Sequence, residues 1–418
     1  MATVMATVQT MASPRKPRSR REYGTGSLYQ RASDGMWIGS ITHGHTSTGA
    51  RRRITVSAKT EAAAKRKLRD KLAEIERNGL PTVGARVTVK SWADEWLQQA
   101  ERTMRPGSFA TARSAINLWV VPTIGHKRFA DVTPADVRAV AQAQRAAGRS
   151  SSTELRTHSV LITMLKAAML EGHPLHPRVL ATQAPKKAVS DRDAMTVEQA
   201  LAILPAAGQL HHGSRFLAAL LQGMRQGECL GLTWPAIDFE SNTITVEWQL
   251  RPIPYRVSRD PKSGFRIPDG YEARHLKGQL HLVRPKSKAG YRVIPIVPVM
   301  REALVAWRER SNELIPNNPH GLVWPNLDGA PTYYKIDDEE WYGIQQAADV
   351  QHPAGRLFSI HEARHTTATL LLEAGVDPAV IVAIMGHSDI LTTRGYQHVR
   401  TERAREALEL VATRLELN

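Results

Sequence analysis

The spacing of apolar positions changes along the chain, and each change marks a boundary. Residues 1–22 are low in hydrophobicity and end in Arg15, Lys16, Arg18, Arg20 and Arg21, the pattern of a disordered basic arm. From 23 to 80, the runs GSLYQR, MWIGSITHG and RRRITVSA are separated by an Asp-Gly pair and a Gly/Ser/Thr turn. This predicts three short strands. Thr60 then caps a helix, EAAAKRKLRDKLAEIERNG, stopped by Gly79 and Pro81. Residues 87–185 change to a helical period. Trp92, Trp96 and Leu97 share a face, TPADVRAVAQAQRAAG carries a Thr cap with Pro in the first turn, and four amphipathic segments follow one another. A polar linker at 183–195 precedes TVEQALAIL, which opens a last domain, 195–418. The expected fold is a multidomain α+β chain: a small three-strand-plus-helix N-terminal domain, a four-helix domain, and a mainly α domain with a small antiparallel sheet.

Charge narrows the partner. Lys and Arg number 56 against 40 Asp and Glu, a formal net charge of +16, and that surplus favours a polyanion, whose counterions are released on binding. No run approaches the ~20 apolar residues of a membrane span, and no apolar targeting segment opens the chain. The expected place is the cytoplasm of a bacterial host, at the nucleoid, with no membrane partner. The one cysteine, Cys229, excludes a disulfide framework within the chain and a Cys-rich zinc site. Its apolar surroundings make it a small core residue.

Four segments carry candidate chemistry. In FLAALLQGMRQGECLGLTWPAIDF, a helix breaks at Gly223, and Arg225 stands between Gly223 and Gly227 with Glu228 three residues on, placed to orient it. HLVRPKSKAGYRVIPI reads as a hairpin, Leu282 on one side and Val293, Ile294 and Ile296 on the other, with Lys286 and Lys288 near its tip. In FSIHEARHTTATLLLEAG, Ser359 or His361 opens a helix, and His361 and Arg364 share a face where backbone N–H groups favour an anion. His365 lies on the same side and is given a packing role. In VDPAVIVAIMGHSDILTTRGYQHV, Asp377 caps a short helix begun by Pro378 and ended by Gly386. His387 follows, and Tyr396 comes nine residues later. Singly, each suits an ordinary role: a salt-bridged arginine, solvated lysines, a surface tyrosine. As an ordered series over about 170 residues they do not.

In that order these segments resemble the tyrosine recombinases, the lambda-integrase family. The resemblance spans about residues 23–410 and is sharpest over 195–410. It implies an integrase of a temperate phage or mobile element that cleaves and rejoins DNA at attachment sites through a 3′-phosphotyrosyl intermediate. Tyr396 would be the nucleophile, Arg225 and Arg364 the phosphate clamp, and His361 the proton acceptor or donor. Lys288 would be the general acid, with Lys286 as the second choice, and His387 would bond a non-bridging oxygen. Glu228 would support the fold around Arg225. The chemistry needs no cofactor and no metal, and the chain has no nucleotide-binding GxxxxGK[ST] run. Residues 87–185 would be the core-binding domain. Residues 23–80 would bind arm-type sites, with Arg51, Arg52 and Arg53 as DNA contacts, and Lys286 of the last domain is a further candidate DNA contact. The implied partners are double-stranded DNA, three further copies in a synaptic tetramer, a DNA-bending host factor and a directionality factor. A host-encoded resolvase or conjugative-transposon recombinase shares this chemistry, and a catalytically inactive DNA-binding regulator is the non-enzymatic alternative. Residues 252–279 are longer than the family's usual link and read equally as an ordered DNA-contacting loop or a mobile excursion. The helix TERAREALELVATRLELN, with Leu408, Leu410, Val411 and Leu415, suits docking on a neighbour or packing on its own domain.

Overall fold

The computed structural model describes residues 27–45, 51–78, 87–186, 193–285, 290–386 and 397–417. Strands β1 (Ser27–Gln30), β2 (Trp37–His45) and β3 (Arg51–Ala58) form an antiparallel sheet in that order. The Asp-Gly pair makes the first turn, with Gly35 at φ +67°. Helix α1 (Glu61–Asn78) is capped by the Thr60 hydroxyl, which accepts from Ala63 N–H at 3.3 Å. Ile38 and Ala58 of the sheet and Ala64, Leu68 and Ile75 of the helix are buried. The Lys67 ammonium donates to the Ser57 carbonyl at 3.0 Å.

The helical stretch follows the expected order. Helix α2 (Val89–Thr103) buries Trp92, Trp96 and Leu97, and the Trp92 indole donates to the Met164 carbonyl at 3.2 Å. Helix α3 (Pro106–Ala115) runs through a π-helical turn at Ile116–Val120 into α4 (Val121–Ile124). Thr133 and Asp136 form the capping box of α5 (Pro134–Ala146). Helix α6 (Ser151–Leu170) meets α5 through Arg145 and Glu154 at 2.7 Å, and α7 (Pro177–Leu180) follows. By their contacts the described residues fall into two compact units. One draws on Met1–Thr88, Arg128–Val132 and Leu165–Pro177; the other draws on Val89–Lys127, Thr133–Met164 and Arg178–Asn418.

In the second unit come α8 (Val197–Gly208), α9 (Ser214–Leu221), α10 (Gln226–Leu230), β4 (Ile237–Asp238), β5 (Thr243–Val246), β6 (Gln249–Pro252), β7 (Ala273–Lys277), β8 (Leu280–Val283) and β9 (Arg292–Pro295). Five helices follow: α11 (Pro298–Leu314), α12 (Tyr334–Ala347), α13 (Ile360–Glu373), α14 (Pro378–Met385) and α15 (Gln397–Arg414). The helices close on a core that includes Phe216, Trp324, Trp341, Phe358 and Leu371. Cys229 is buried in it, as expected, and burial pushes its thiol up to about 11.

One expectation is corrected. The strands on either side of residues 284–291 are not a hairpin. β8 pairs with β6 and β7, whereas β9 pairs with β5, so the domain holds two three-stranded sheets, β4-β5-β9 and β6-β8-β7. The long link explains the exchange. It returns as β7, one tight turn from β8, with Gly278 at φ +57°. That local pairing occupies β8 and leaves β9 to β5. The link is thus an ordered, strand-bearing excursion. Its root is clasped by cations: Arg274 and Arg284 lie 4.2 and 3.8 Å from the centre of the Trp248 ring. Of the two roles open to the last helix, the described residues show packing on its own domain. Leu408, Val411 and Leu415 are buried in the domain core, and Leu410 is exposed.

Candidate active site

The site begins with a glycine. Gly223, at the end of α9, has φ +55°, and a Cβ there would lie 2.7 Å from the Met385 sulfur. With no side chain at 223, the end of α14 packs against the turn. Arg225 then opens α10. Its N–H donates to Glu228 Oε2 at 2.9 Å, its guanidinium to Glu228 Oε1 at 2.7 Å and to the Gly386 carbonyl at 2.9 Å. Gly227 and Gly231 hold α10 against β6, since a Cβ at either would meet Leu250 backbone atoms at 2.9 and 2.6 Å.

Helix α13 supplies the second arginine. Ser359 is the N-cap, one of the two openings considered above, and it forms a capping box with Glu362. Burial opposes the Glu362 charge, but bonds from Arg356 and from Ser359 hold its carboxyl at about 2. Arg364, one turn in, is 2% exposed and donates to the carbonyls of Gly223 and Met385. His361 and His365 are half-buried one turn apart, their rings edge to face at 5.0 Å.

A third arginine was not foreseen. Arg292, the first residue of β9, is buried. It donates to the Ile384 carbonyl at 2.7 Å, to Glu228 Oε2 at 2.8 Å and Oε1 at 3.2 Å, and to the Gly290 carbonyl at 3.3 Å. The sequence held one signal for it. Arg292 is in phase with Ile294 on the buried face of its strand, with exposed Val293 between them. A charge in phase with a core residue requires a buried partner.

The last carbonyls of α14, at Ile384, Met385 and Gly386, therefore each receive one guanidinium. The helix is built as expected at both ends. Asp377 accepts from Ala379 N–H at 2.6 Å, Pro378 follows, and Gly386 ends the helix at φ +63°. A helix C-terminus carries partial negative charge and unpaired carbonyls, so cations gather there. The three guanidiniums have one carboxylate near them, Glu228, which is bonded by Arg225 and Arg292. Burial works against that carboxylate, yet Arg292 and then Arg225 outweigh it and hold its carboxyl at about 2. The local surplus is two positive charges. Burial, then Arg225 and Arg292, pull Arg364 down to about 9. Its charge is carried at a cost that a bound oxyanion would relieve.

The structure thus brings together Arg225, Glu228 and Arg364, and adds Arg292. Lys286, Lys288, His387 and Tyr396 lie outside the described residues, as does the arm at 1–22. Arg53 is exposed on β3 beside Thr42 of β2, and Arg51 and Arg52 belong to the same strand. Among the described residues no cluster of His, Cys, Asp or Glu is arranged to hold a metal ion, and no helix is long and apolar enough to cross a membrane.

Residues 193–403 match the phage integrase family, and residues 88–143 match the phage integrase N-terminal SAM-like domain. An integrase of Streptomyces ambofaciens is 30% identical, over 90% of this chain and 92% of its own length. An integrase of Saccharopolyspora erythraea is 24% identical, over 91% and 94%. Among solved structures, the Tn1549 transposon integrase in complex with circular intermediate DNA superposes with a TM-score of 0.58 at 18% identity, covering 76% of this chain and 99% of that one. A lambda integrase tetramer bound to a Holliday junction gives 0.52 at 18% identity, covering 93% and 98%. These two likenesses are likenesses of fold.

Proposed function

The chain belongs to the phage integrase family, and from that premise we propose that it is a site-specific DNA recombinase that inserts, and in reverse excises, a phage or mobile-element genome at attachment sites. The observation that carries the reading is the excess of guanidinium over carboxylate at the end of α14, immediately before the segment that holds His387 and Tyr396.

Arg225 and Arg364 bind the non-bridging oxygens of the scissile phosphate, where charge grows in the transition state. The Tyr396 oxygen attacks phosphorus, and His361 takes its proton. The bond from phosphorus to the 5′-oxygen breaks as Lys288 gives that oxygen a proton. A 3′-phosphotyrosyl bond and a free 5′-hydroxyl result, and attack by another strand's 5′-hydroxyl reverses the step. The ester conserves the bond energy, so no nucleotide is consumed. Arg225 needs Glu228 beside it for position, and the carboxylate does not touch DNA. His387 completes the contacts to the phosphate.

Residues 87–185 and 195–418 act as the core-binding and catalytic domains on the crossover site, and residues 23–80 bind arm-type sites through Arg51, Arg52 and Arg53. Four copies act in one synapse, with a DNA-bending host factor and a directionality factor, in the cytoplasm of the host. The test is a core site nicked beside the scissile phosphate. Incubation is expected to trap a protein–DNA adduct stable to denaturing gels, and Tyr396→Phe to abolish it with DNA binding intact. An adduct in the Phe variant overturns the assignment. Replacing Arg51, Arg52 and Arg53 with Ala together is expected to weaken arm-site binding and spare core-site cleavage; unchanged arm affinity would sink that part.

A further inference from the structure

We propose that Arg292 is a positioning residue of the recombination site: it takes a share of the Glu228 carboxylate, so that Arg225 keeps its charge for the phosphate, and it fixes the end of α14 from the opposite side. The inference rests on the recombinase reading above.

Two geometries carry it. First, both carboxylate oxygens of Glu228 are divided between the two arginines: Oε1 accepts from Arg225 at 2.7 Å and from Arg292 at 3.2 Å, and Oε2 accepts from the Arg225 N–H at 2.9 Å and from Arg292 at 2.8 Å. Without Arg292, this buried carboxylate would face Arg225 alone at close range and cancel its charge. The local surplus would fall from two to one. Second, besides the carboxylate Arg292 bonds two backbone carbonyls. It holds Gly290, close in sequence to the candidate lysines, and Ile384, the carbonyl one and two residues before those held by Arg364 and Arg225. A planar fork with five donors can do this, and a lysine cannot. Its burial keeps it off the DNA, so it acts through Arg225 and through the end of α14.

The test compares full-length protein on two nicked core sites, one with a normal scissile phosphate and one with a neutral methylphosphonate in its place. Thermal melts first establish a temperature at which each variant is folded. Arg292→Met is expected to slow single-turnover adduct formation on the phosphate by about 100-fold, with the dissociation constant for core DNA within about threefold. On the methylphosphonate the penalty is expected to shrink to under about tenfold, because less charge has to be met. Arg292→Lys, which keeps the charge and loses the fork, is expected to lie between wild type and Met. Should the Met variant not fold, Arg292→Gln, which also removes the charge but keeps two N–H donors, gives the same comparison in its place. An equal penalty on both substrates means Arg292 is merely structural and overturns the proposal. So does a wild-type rate in either folded variant, or a loss of DNA binding that accounts for the rate. Absence of any adduct with the wild-type chain would instead count against the recombinase reading itself.

Discussion

Two clusters of arginine in one unit have opposite characters. At the end of α14, Arg225, Arg292 and Arg364 gather with a single carboxylate near them, two of the three are buried, and Arg364 is pulled down to about 9 by burial and its neighbours. At the root of the 252–279 excursion, Arg284 is met by Glu272 at 2.9 Å and Glu247 at 2.6 Å, beside the Trp248 ring. Its hydrogen bond to Glu272 moves its pKa upward. The residue type is the same, and the count of counter-charges differs. A balanced, half-buried cluster holds chain together. An unbalanced, buried one is unfinished until an anion arrives.

The sharpest way to break the contrast is to remove the one counter-charge of the buried cluster. Glu228→Gln leaves three cations without an anion and is expected to cost about 3–5 kcal/mol of stability at neutral pH, read by urea unfolding. The Glu228 carboxyl sits at about 2, below its ordinary value, so its contribution is present above about pH 4.5 and is lost as pH falls toward 2. The gap between wild type and variant should therefore narrow at pH 3. A constant gap would show that the charge is irrelevant. Glu362, also near 2, leaves a residual acid slope in both proteins.

Next in size is Arg364→Lys, which keeps one charge and cannot reach both the Gly223 and Met385 carbonyls with a fork. Single-turnover cleavage is expected to fall by about 10²–10³, or about 2.7–4 kcal/mol, and a rate within twofold of wild type would contradict the clamp. A smaller effect sharpens the comparison without mutation. Sulfate at about ten times its dissociation constant should add about 1.4 kcal/mol, about 3–6 °C in Tm. Arg225→Gln should reduce that gain, and an undiminished gain would place the anion elsewhere. The smallest effect belongs to the balanced cluster. Arg284→Ala is expected to cost at most about 1 kcal/mol and to leave both cleavage and the sulfate response intact.

Local signals in the sequence carried as far as local physics reaches. The Thr60, Thr133 and Asp377 caps, the Gly386 stop and the buried face of Trp92, Trp96 and Leu97 each depend on residues a turn or two apart, and each is present. Strand partners do not depend on neighbours in this way. HLVRPKSKAGYRVIPI holds two β runs around a polar stretch, but alternation says only which face is buried. The partners of β8 and β9 were chosen by a link ending at Lys277 and by a strand at Thr243–Val246. Arg225, Glu228 and Arg364 were legible because glycine, helix-start and spacing cues surround them. Arg292 was missed because its reason for being there is Glu228, 64 residues away.

Those separations also have a meaning in time. Arg225 meets the Gly386 carbonyl across 161 residues, and Arg364 meets Gly223 across 141. A ribosome adding about 5–20 residues per second needs about 8–30 s to travel from the first arginine to the carbonyls it will hold. During that interval the emerging chain has the first arginine but not the carbonyl it will hold. The helical stretch at 87–186 is synthesised before either partner of those pairs. Birth order thus sets the helical stretch ahead of the guanidinium cluster, whose partners all arrive after it.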